Sequence, residues 1–185
     1  MTATPKLYFS TFPITTQIFH LTPLTMALVN LKPLLPGHVL VCPRRVVPRL
    51  RDLTVPETTD LFQTVSMLSK HLEKIYKADS FNVAIQDGPA AGQSVPHVHA
   101  HIIPRKYKDL GEGPEAEDKI YAMMESDDAD LWRAFRQKEG RFPVPDCERK
   151  PRTDLEMKEE ADWLRTRIKE LEEAAQREGS DKEKL

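Results

Sequence analysis

Residues 97–103 read His97-Val98-His99-Ala100-His101-Ile102-Ile103, and this run decides how the rest of the chain is interpreted. Side chains of a β-strand point to alternate faces with a period of two. A strand from His97 to Ile103 therefore places the three histidines on one face and turns the apolar residues between them towards a core. Successive imidazoles on that face are expected about 6.7 Å apart along the strand.

Three imidazoles on one strand face allow two kinds of chemistry. Histidines two residues apart on a strand can bind a single metal ion. Alternatively, a neutral imidazole nitrogen is a good nucleophile towards phosphorus near neutral pH, and neighbouring N–H donors stabilise charge on phosphate oxygens. Three histidines within five positions argue against an exposed face without a role.

The loop before the histidines favours phosphate over metal. Gly92-Gln93-Ser94 offers a side-chain amide, a hydroxyl and open backbone N–H groups close to the histidine run. Glycine lets such N–H groups approach a ligand closely. No acidic residue lies within residues 97–103 to serve as an additional metal ligand. The sequence therefore predicts a phosphate-handling site and no metal site built by the protein.

The rest of the chain indicates an α+β domain. Short apolar runs predict strands at residues 7–9, 17–20, 26–30, 38–42 and 81–86, separated by turn signals. Thr54 and Glu57 form a capping-box pattern that opens a helix over about residues 55–76. Thr153 and Glu156 repeat the pattern and open a second helix over about residues 154–176. Apolar residues recur every three or four positions in both helices.

Composition excludes several classes of protein. The formal net charge of −2 gives no support for a nucleic-acid-binding surface. No run approaches the roughly 20 apolar residues of a membrane span, and no basic-then-apolar leader opens the chain. Cys42 and Cys147 are far apart and form no CxxC pair, which argues against a zinc ribbon. We expect a cytoplasmic and nuclear protein without nucleic-acid or membrane partners.

The histidine run resembles the signature of the histidine-triad superfamily, His-φ-His-φ-His-φ, where φ is apolar. The similarity is closer to the fragile-histidine-triad branch, and it rests on further motifs along the chain. They are Ala27-Leu28-Val29-Asn30, Lys32-Pro33, Pro36-Gly37-His38-Val39-Leu40-Val41-Cys42-Pro43, Asp60-Leu61-Phe62-Gln63-Thr64, Gln86-Asp87-Gly88, Ala91-Gly92-Gln93-Ser94 and Pro104-Arg105-Lys106. The resemblance covers about residues 7–108 and resumes near residues 120–121 and 156–165.

The resemblance implies a fold and an activity. The implied fold is a five-stranded antiparallel sheet with the helix at 55–76 as its main helix, in a homodimer whose two sheets join as one. The implied activity is hydrolysis of diadenosine triphosphate to AMP and ADP, in which His99 attacks the α-phosphorus and water then hydrolyses the nucleotidyl-histidine. No cofactor is obligatory, although Mg²⁺ or Mn²⁺ can accompany the polyphosphate.

The resemblance also assigns roles to the other site residues. His97 and His101 would orient the nucleophile and donate to phosphate oxygens, with His38 as a fourth, supporting histidine. The residues implied to bind substrate are Gln86, Gln93 and Ser94 for phosphate oxygens, Asn30 for ribose, and Leu28 and Leu40 for the base. Two alternatives stay open: a hydrolase of adenosine phosphoramidate or adenylyl sulfate with the same histidines, and a nucleotide-binding signalling protein with slow turnover.

Four segments follow from these patterns. Residues 1–108 are predicted to form the catalytic domain, and residues 153–177 a C-terminal helix that packs on it or on a dimer partner. Residues 109–152 are predicted to be a mobile charged loop, because residues 109–130 carry nine Asp or Glu against the single Lys119 and can bury little apolar surface. Residues 178–185 are predicted to be a disordered tail.

Overall fold

A five-stranded antiparallel sheet forms the centre of the fold. The computed structural model describes residues 6–113, 115–124 and 151–182. In spatial order the strands are β3 (Ile18–Leu21), β4 (Thr25–Val29), β5 (Val39–Pro43), β7 (Ala100–Arg105) and β6 (Ser80–Ala84). A separate hairpin pairs β1 (Tyr8–Phe9) with β2 (Phe12–Pro13). The prediction of an α+β fold with this sheet is confirmed.

Helix α1 (Val55–Tyr76) begins where the capping-box pattern places it. The Thr54 hydroxyl accepts from the backbone N–H of Glu57 at 3.4 Å, and Glu57 Oε2 accepts from the backbone N–H of Thr54 at 2.8 Å. Leu61, Leu68 and Leu72 are fully buried, and each contributes roughly 1.5–3 kcal/mol of stability by leaving water. The predicted helix at 55–76 is confirmed.

Helix α3 (Asp154–Lys182) is longer than the predicted 154–176. It is helical through residue 182, within the segment predicted as a disordered tail, and residues 183–185 lie outside the described residues. Its buried residues Met157, Ala161, Leu164 and Ile168 join one apolar cluster with α1 and the sheet, so it packs on its own domain. No helix in the described ranges is both long and apolar enough to cross a bilayer.

The segment predicted to be a mobile loop at 109–152 contains a helix. Residues 115–124 form α2, and its Ala116, Ile120 and Met124 are buried. Ile120 and Met124 pack against Leu34 and Ile103. The count of acidic residues hid this short apolar stripe, whose members recur every four positions and pack against the sheet. Residues 125–150 lie outside the described residues.

The two faces of the sheet bury different groups. Side chains such as Val29, Val39 and Ala100 point towards α1 and α3, and we call this side the helix face. The alternate residues Leu28, Leu40 and His101 point the other way, to the triad face. Because Leu28 pairs with Leu40 and Leu40 pairs with His101, these three side chains form one row across adjacent strands.

Candidate active site

The sheet register brings His101 next to the two leucines implied to bind the base. Neighbouring strands lie about 4.8 Å apart, so the row of Leu28, Leu40 and His101 places apolar surface beside an imidazole. Ala84 continues the row on β6, and the chain then leaves the sheet towards Gln86. The register therefore accounts for three of the predicted site residues, Leu28, Leu40 and His101, without any loop contact.

His97 and His99 do not lie in the sheet, which corrects the predicted strand from His97 to Ile103. Strand β7 begins at Ala100, because its partner β5 pairs with it only as far as Ala100. Before that point, the backbone N–H of Val98 donates to the carbonyl of Val47 at 2.7 Å. The rings of His99 and His101 still lie close together, with centroids 4.9 Å apart.

The hydrogen bonds of His99 fix its tautomer. Its Nδ1 lies 2.8 Å from the carbonyl oxygen of His97. A carbonyl only accepts, so Nδ1 carries the proton and Nε2 bears a lone pair. Burial lowers the pKa of His99, which keeps the ring neutral. This is the protonation state that a nucleophilic imidazole requires.

A chain of hydrogen bonds assigns the protons of His38 and His101. The backbone N–H of Leu34 donates to His38 Nδ1 at 3.1 Å, so the other nitrogen of that ring, Nε2, carries the proton. His38 Nε2 then donates to His101 Nδ1 at 2.9 Å. His101 is therefore protonated on Nε2, and burial, with His99 and His38 nearby, holds its pKa well below the ordinary value.

Two buried polar atoms in this part of the site lack a partner within the described residues. They are Nε2 of His101, which the hydrogen bonds above make a donor, and Oε1 of Gln86. An unpaired buried polar atom costs roughly 1–3 kcal/mol. The unpaired donor of His101, whose ring lies next to that of His99, indicates that a ligand supplies its partner.

The ring of His97 is held entirely by the protein. The backbone N–H of Ser10 donates to its Nδ1 at 3.0 Å, and its Nε2 donates to the carbonyl of Pro43 at 2.8 Å. Burial lowers the pKa of His97 to about 4. Neither nitrogen is left to donate to a phosphate oxygen, which corrects that part of the implied role. His97 orients His99 through its carbonyl.

The other implied substrate-binding side chains lie around the histidines and are buried. Asn30 Nδ2 lies 3.2 Å from Nε2 of His38, and its Oδ1 accepts from the backbone N–H of Lys32 at 3.1 Å. Gln93 Nε2 donates to the carbonyl of Pro48 at 2.9 Å. Ser94 is 3% exposed. The loop from Gln86 to Ser94, which we call the site loop, is thus packed onto the segment that follows β5.

Asp87 fixes the start of the site loop. Its carboxylate accepts from Nε of Arg49 at 3.1 Å and from the backbone N–H of Leu50 at 2.9 Å. A Cβ added at Gly88, whose φ is +105°, would lie 2.7 Å from the Arg49 guanidinium. Only glycine accepts both this dihedral angle and this close approach. Gln86 is therefore held next to a rigid turn.

Sequence analysis missed the apolar cluster beside the histidines. Phe9 of β1 stacks on His97 with centroids 5.3 Å apart and meets His99 edge-on at 5.1 Å. The cluster around Leu28 and Leu40 consists of Phe9, Ile14, Ile18, Met26, Cys42 and Val95. Strand alternation could have found Met26 and Cys42, which share a face with Leu28 and Leu40. No local signal connects Phe9 to residues nearly ninety positions later.

A cavity of about 660 Å³ lies away from this chemistry. It is lined by the start of β6, the turn after β7 and α2, including Arg105, Tyr107 and Tyr121. Arg105 is held there by Asp109, whose oxygens accept at 2.8 Å. The cavity contains none of the predicted site residues, so we place the active site at the buried histidines. No three metal-ligating side chains are grouped for an ion within residues 6–113, 115–124 and 151–182.

Comparison with known proteins agrees with this geometry. A family model of the HIT domain matches residues 11–108. The asymmetrical bis(5'-nucleosyl)-tetraphosphatase of Schizosaccharomyces pombe is 45% identical over 181 residues, which are 91% of this chain and 97% of that protein. The bifunctional bis(5'-adenosyl)-triphosphatase/adenylylsulfatase of Arabidopsis thaliana is 52% identical over 115 residues, 62% of each chain.

A solved structure shows the same fold. The crystal structure of the Caenorhabditis elegans NitFhit protein has a TM-score of 0.57 and 42% sequence identity, and the match covers 72% of this chain and 31% of that longer one. The region matched by the HIT-domain model contains every histidine of the site and all five strands of the sheet. The chain belongs to the HIT-domain family, the histidine-triad proteins.

Proposed function

We propose that this chain hydrolyses diadenosine triphosphate to AMP and ADP through a nucleotidyl intermediate on Nε2 of His99. The observation that carries the proposal is the fixed tautomer of His99, whose Nδ1–H is bound to a carbonyl and whose Nε2 is left with its lone pair. The neighbouring His101 presents an N–H donor without a protein partner among the described residues. A nucleophile and a donor side by side suit attack on a phosphoryl group.

The first half-reaction transfers a nucleotidyl group to the protein. Nε2 of His99 attacks the α-phosphorus, a P–N bond forms, and the bond from that phosphorus to the bridging oxygen breaks. The electron pair leaves with ADP. His101 Nε2–H donates to phosphate oxygens that gain negative charge in the transition state. A donor already fixed in place lowers the activation free energy by stabilising that charge.

The second half-reaction restores the imidazole. Water attacks the phosphorus of nucleotidyl-His99 and its oxygen stays on AMP, while its proton is released to solvent. The P–N bond breaks, and Nε2 regains its lone pair. Covalent capture divides one difficult displacement into two easier ones. Because the ring of His99 is held through Nδ1 throughout, the same geometry serves both halves.

The apolar cluster around Leu28 and Leu40 supports a nucleoside as the transferred group. A purine needs apolar surface for its faces, and Phe9 adds an aromatic ring at the edge of the cluster next to His97 and His99. The phosphate oxygens are assigned by family resemblance to Gln86, Gln93 and Ser94, whose N–H and O–H groups can donate to them. A divalent cation, Mg²⁺ or Mn²⁺, would enter with the polyphosphate and neutralise part of its charge.

The activities named for two relatives make two further substrates worth testing. The fission yeast protein is named as a tetraphosphatase and the plant protein also as an adenylylsulfatase. Both alternatives transfer a nucleotidyl group to the same histidine and differ in the leaving group. The choice among them depends on contacts beyond the α-phosphate.

Product analysis tests the proposal. The purified protein is incubated with diadenosine triphosphate, diadenosine tetraphosphate, adenylyl sulfate and adenosine phosphoramidate, with Mg²⁺ and with a chelator. AMP plus ADP formed fastest from the triphosphate supports the assignment. Rapid hydrolysis of the phosphoramidate with no cleavage of the triphosphate would contradict it and would favour the phosphoramidate alternative.

We further propose a homodimer in which two sheets join through β6. The strand lies at the edge of the sheet, and its Val83 is 47% exposed. An edge strand presents unpaired backbone groups that a second copy can bind. Light scattering after size exclusion tests this: the mass of two chains is expected, and the mass of one chain would refute it.

A further inference from the structure

Arg152, the residue two positions before α3, contacts the backbone at the start of the loop that carries His38. Its Nε donates to the carbonyl oxygen of Asn30 at 3.1 Å, and its Nη2 donates to the same oxygen. Its backbone N–H donates to the carbonyl of Leu31 at 3.0 Å. Three hydrogen bonds from one residue thus fix the main chain where β4 ends. Arg152 lies outside residues 11–108, the region that the HIT-domain model matches.

Glu160 and Tyr76 connect Arg152 to the other end of that loop. Arg152 Nη1 forms an ion pair with Glu160, and both side chains are about four-fifths buried, at 19% and 21% exposed. The Tyr76 hydroxyl donates to Glu160 Oε1 at 3.4 Å. The Tyr76 ring lies against Gly37, where an added Cβ would be 2.6 Å from Cε2. The loop from residue 30 to residue 38 is therefore held at both ends.

Both ends of this loop carry site residues. Asn30 and His38 contact each other through Asn30 Nδ2 and the imidazole, and His38 donates to His101. A shift of the Asn30 main chain moves the amide that lies against the His38 ring. A displaced His38 ring changes the hydrogen bond from its Nε2 to Nδ1 of His101, and this bond sets the tautomer of His101. A misplacement of about 1 Å in a catalytic group can cost about 10²-fold in rate.

We propose that Arg152 is a positioning residue for the histidines: by holding the carbonyl of Asn30, with Glu160 and Tyr76 behind it, it keeps His38 in place to donate to His101. The inference rests on the proposed function for its effect on rate. Its structural part, the bond from His38 to His101, can be measured without substrate.

The test compares Arg152→Met with Arg165→Met in the full-length protein. Methionine keeps the length of the side chain and removes every guanidinium donor. Arg165 is a matched control, because it lies on α3 and donates to a backbone carbonyl, that of Ile18 at 2.6 Å, without contacting the loop of His38. Loss of α3 docking alone should affect both variants equally.

The expected result separates the two variants. For Arg152→Met we expect kcat for diadenosine triphosphate to fall about 10- to 100-fold with KM changed less than about threefold. For Arg165→Met we expect kcat within about twofold of the wild type. Equal kcat losses in the two variants would overturn the proposal, and so would wild-type kcat in Arg152→Met.

A substrate-free measurement keeps the inference distinct from the proposed function. The imidazole N–H that His38 donates to His101 is protected in the wild type, so its proton should be observable by ¹H–¹⁵N NMR at neutral pH. It should be lost or broadened in Arg152→Met and retained in Arg165→Met. Retention in Arg152→Met overturns the proposal whatever the rates are. Absence of turnover in the wild type overturns only the proposed function.

A variant that fails to fold does not end the test. Arg152→Lys keeps a positive charge opposite Glu160 but cannot reproduce the planar fork that reaches the carbonyl of Asn30 and the carboxylate together. Arg152→Lys should lose the His38 imidazole N–H signal, and its melting temperature should fall less than that of Arg152→Met. Retention of that signal together with wild-type kcat in Arg152→Lys would overturn the proposal.

Discussion

The two faces of the central sheet carry two groups of histidines, half-buried on one face and buried on the other, that differ in how their ring nitrogens are used. On the helix face, His20 of β3 and His71 of α1 have buried nitrogens without a partner among the described residues. On the triad face, His38, His97 and His99 each have a nitrogen bound to the backbone. Burial lowers the pKa of His20 and His71 on the helix face, and also that of His97 and His99 on the triad face. Among His38, His97 and His99, only His99 has Nδ1 bound to a backbone carbonyl, which leaves the lone pair on Nε2.

The largest expected difference between the faces comes from removing the nucleophile. His99→Asn should lower kcat for diadenosine triphosphate by at least about 10⁴-fold, because no other group supplies the lone pair. Binding of a non-hydrolysable dinucleotide, measured by calorimetry, should be largely retained. Full activity in this variant would disprove the assignment of His99.

The donor next to the nucleophile should matter less. His101→Asn removes the Nε2–H donor while leaving His99 in place, so kcat should fall about 10²- to 10³-fold. Steady-state kinetics on the purified variant measures this. A loss as complete as that of His99→Asn would show that His101 does more than stabilise charge.

The pH dependence of the reaction follows from the lowered pKa of His99. The neutral ring is the reactive form, and burial extends its range to more acidic pH. We expect kcat/KM to stay constant from pH 8 down through the ordinary imidazole pKa of about 6.5 and to fall only below it. An acid limb centred at or above pH 6.5 would contradict a buried neutral nucleophile.

A substitution of a histidine on the helix face is expected to have the smallest effect on activity. Burial lowers the pKa of His20 and His71, with Glu172, Asp60 and Lys74 nearby. The unfolded chain therefore binds protons first as pH falls below about 6.5, and the free energy of unfolding falls with it.

Leucine at position 71 removes one of these protonation sites without touching the triad face. His71→Leu should lose less stability than the wild type between pH 7.5 and pH 5.5 in urea unfolding, and its kcat should change less than about twofold. An unchanged stability loss, or a large fall in kcat, would show that the two faces are not independent.

Local sequence predicted the parts of the fold that local chemistry determines. The capping boxes at Thr54 and Thr153 place the starts of α1 and α3, because each is formed by residues three positions apart. Strand alternation places Leu28, Leu40 and His101 on one face. The end of α3 was missed, because residues 177–182 include no large apolar side chain by which a helical period could be recognised.

Features that depend on distant partners could not be read from the sequence. Strand β7 begins at Ala100 rather than His97: its pairing with β5 ends at Val41 and Ala100, although β5 continues to Pro43. The backbone N–H of Ser10 engages His97 across 87 positions. Arg152 reaches Asn30 across 122 positions. These three features form only once the sheet has assembled. The tautomers of the histidines depend on the same assembly, because backbone groups of other segments fix them.

The covalent intermediate is the most direct test of the account. The protein is mixed with diadenosine triphosphate, quenched within milliseconds in alkali, in which a phosphoramidate bond survives, and digested for mass spectrometry. We expect an adenylyl group on the peptide that contains residues 97–101, with fragmentation locating it on His99. Turnover without any label, or a label on His97 or His101, would contradict the account.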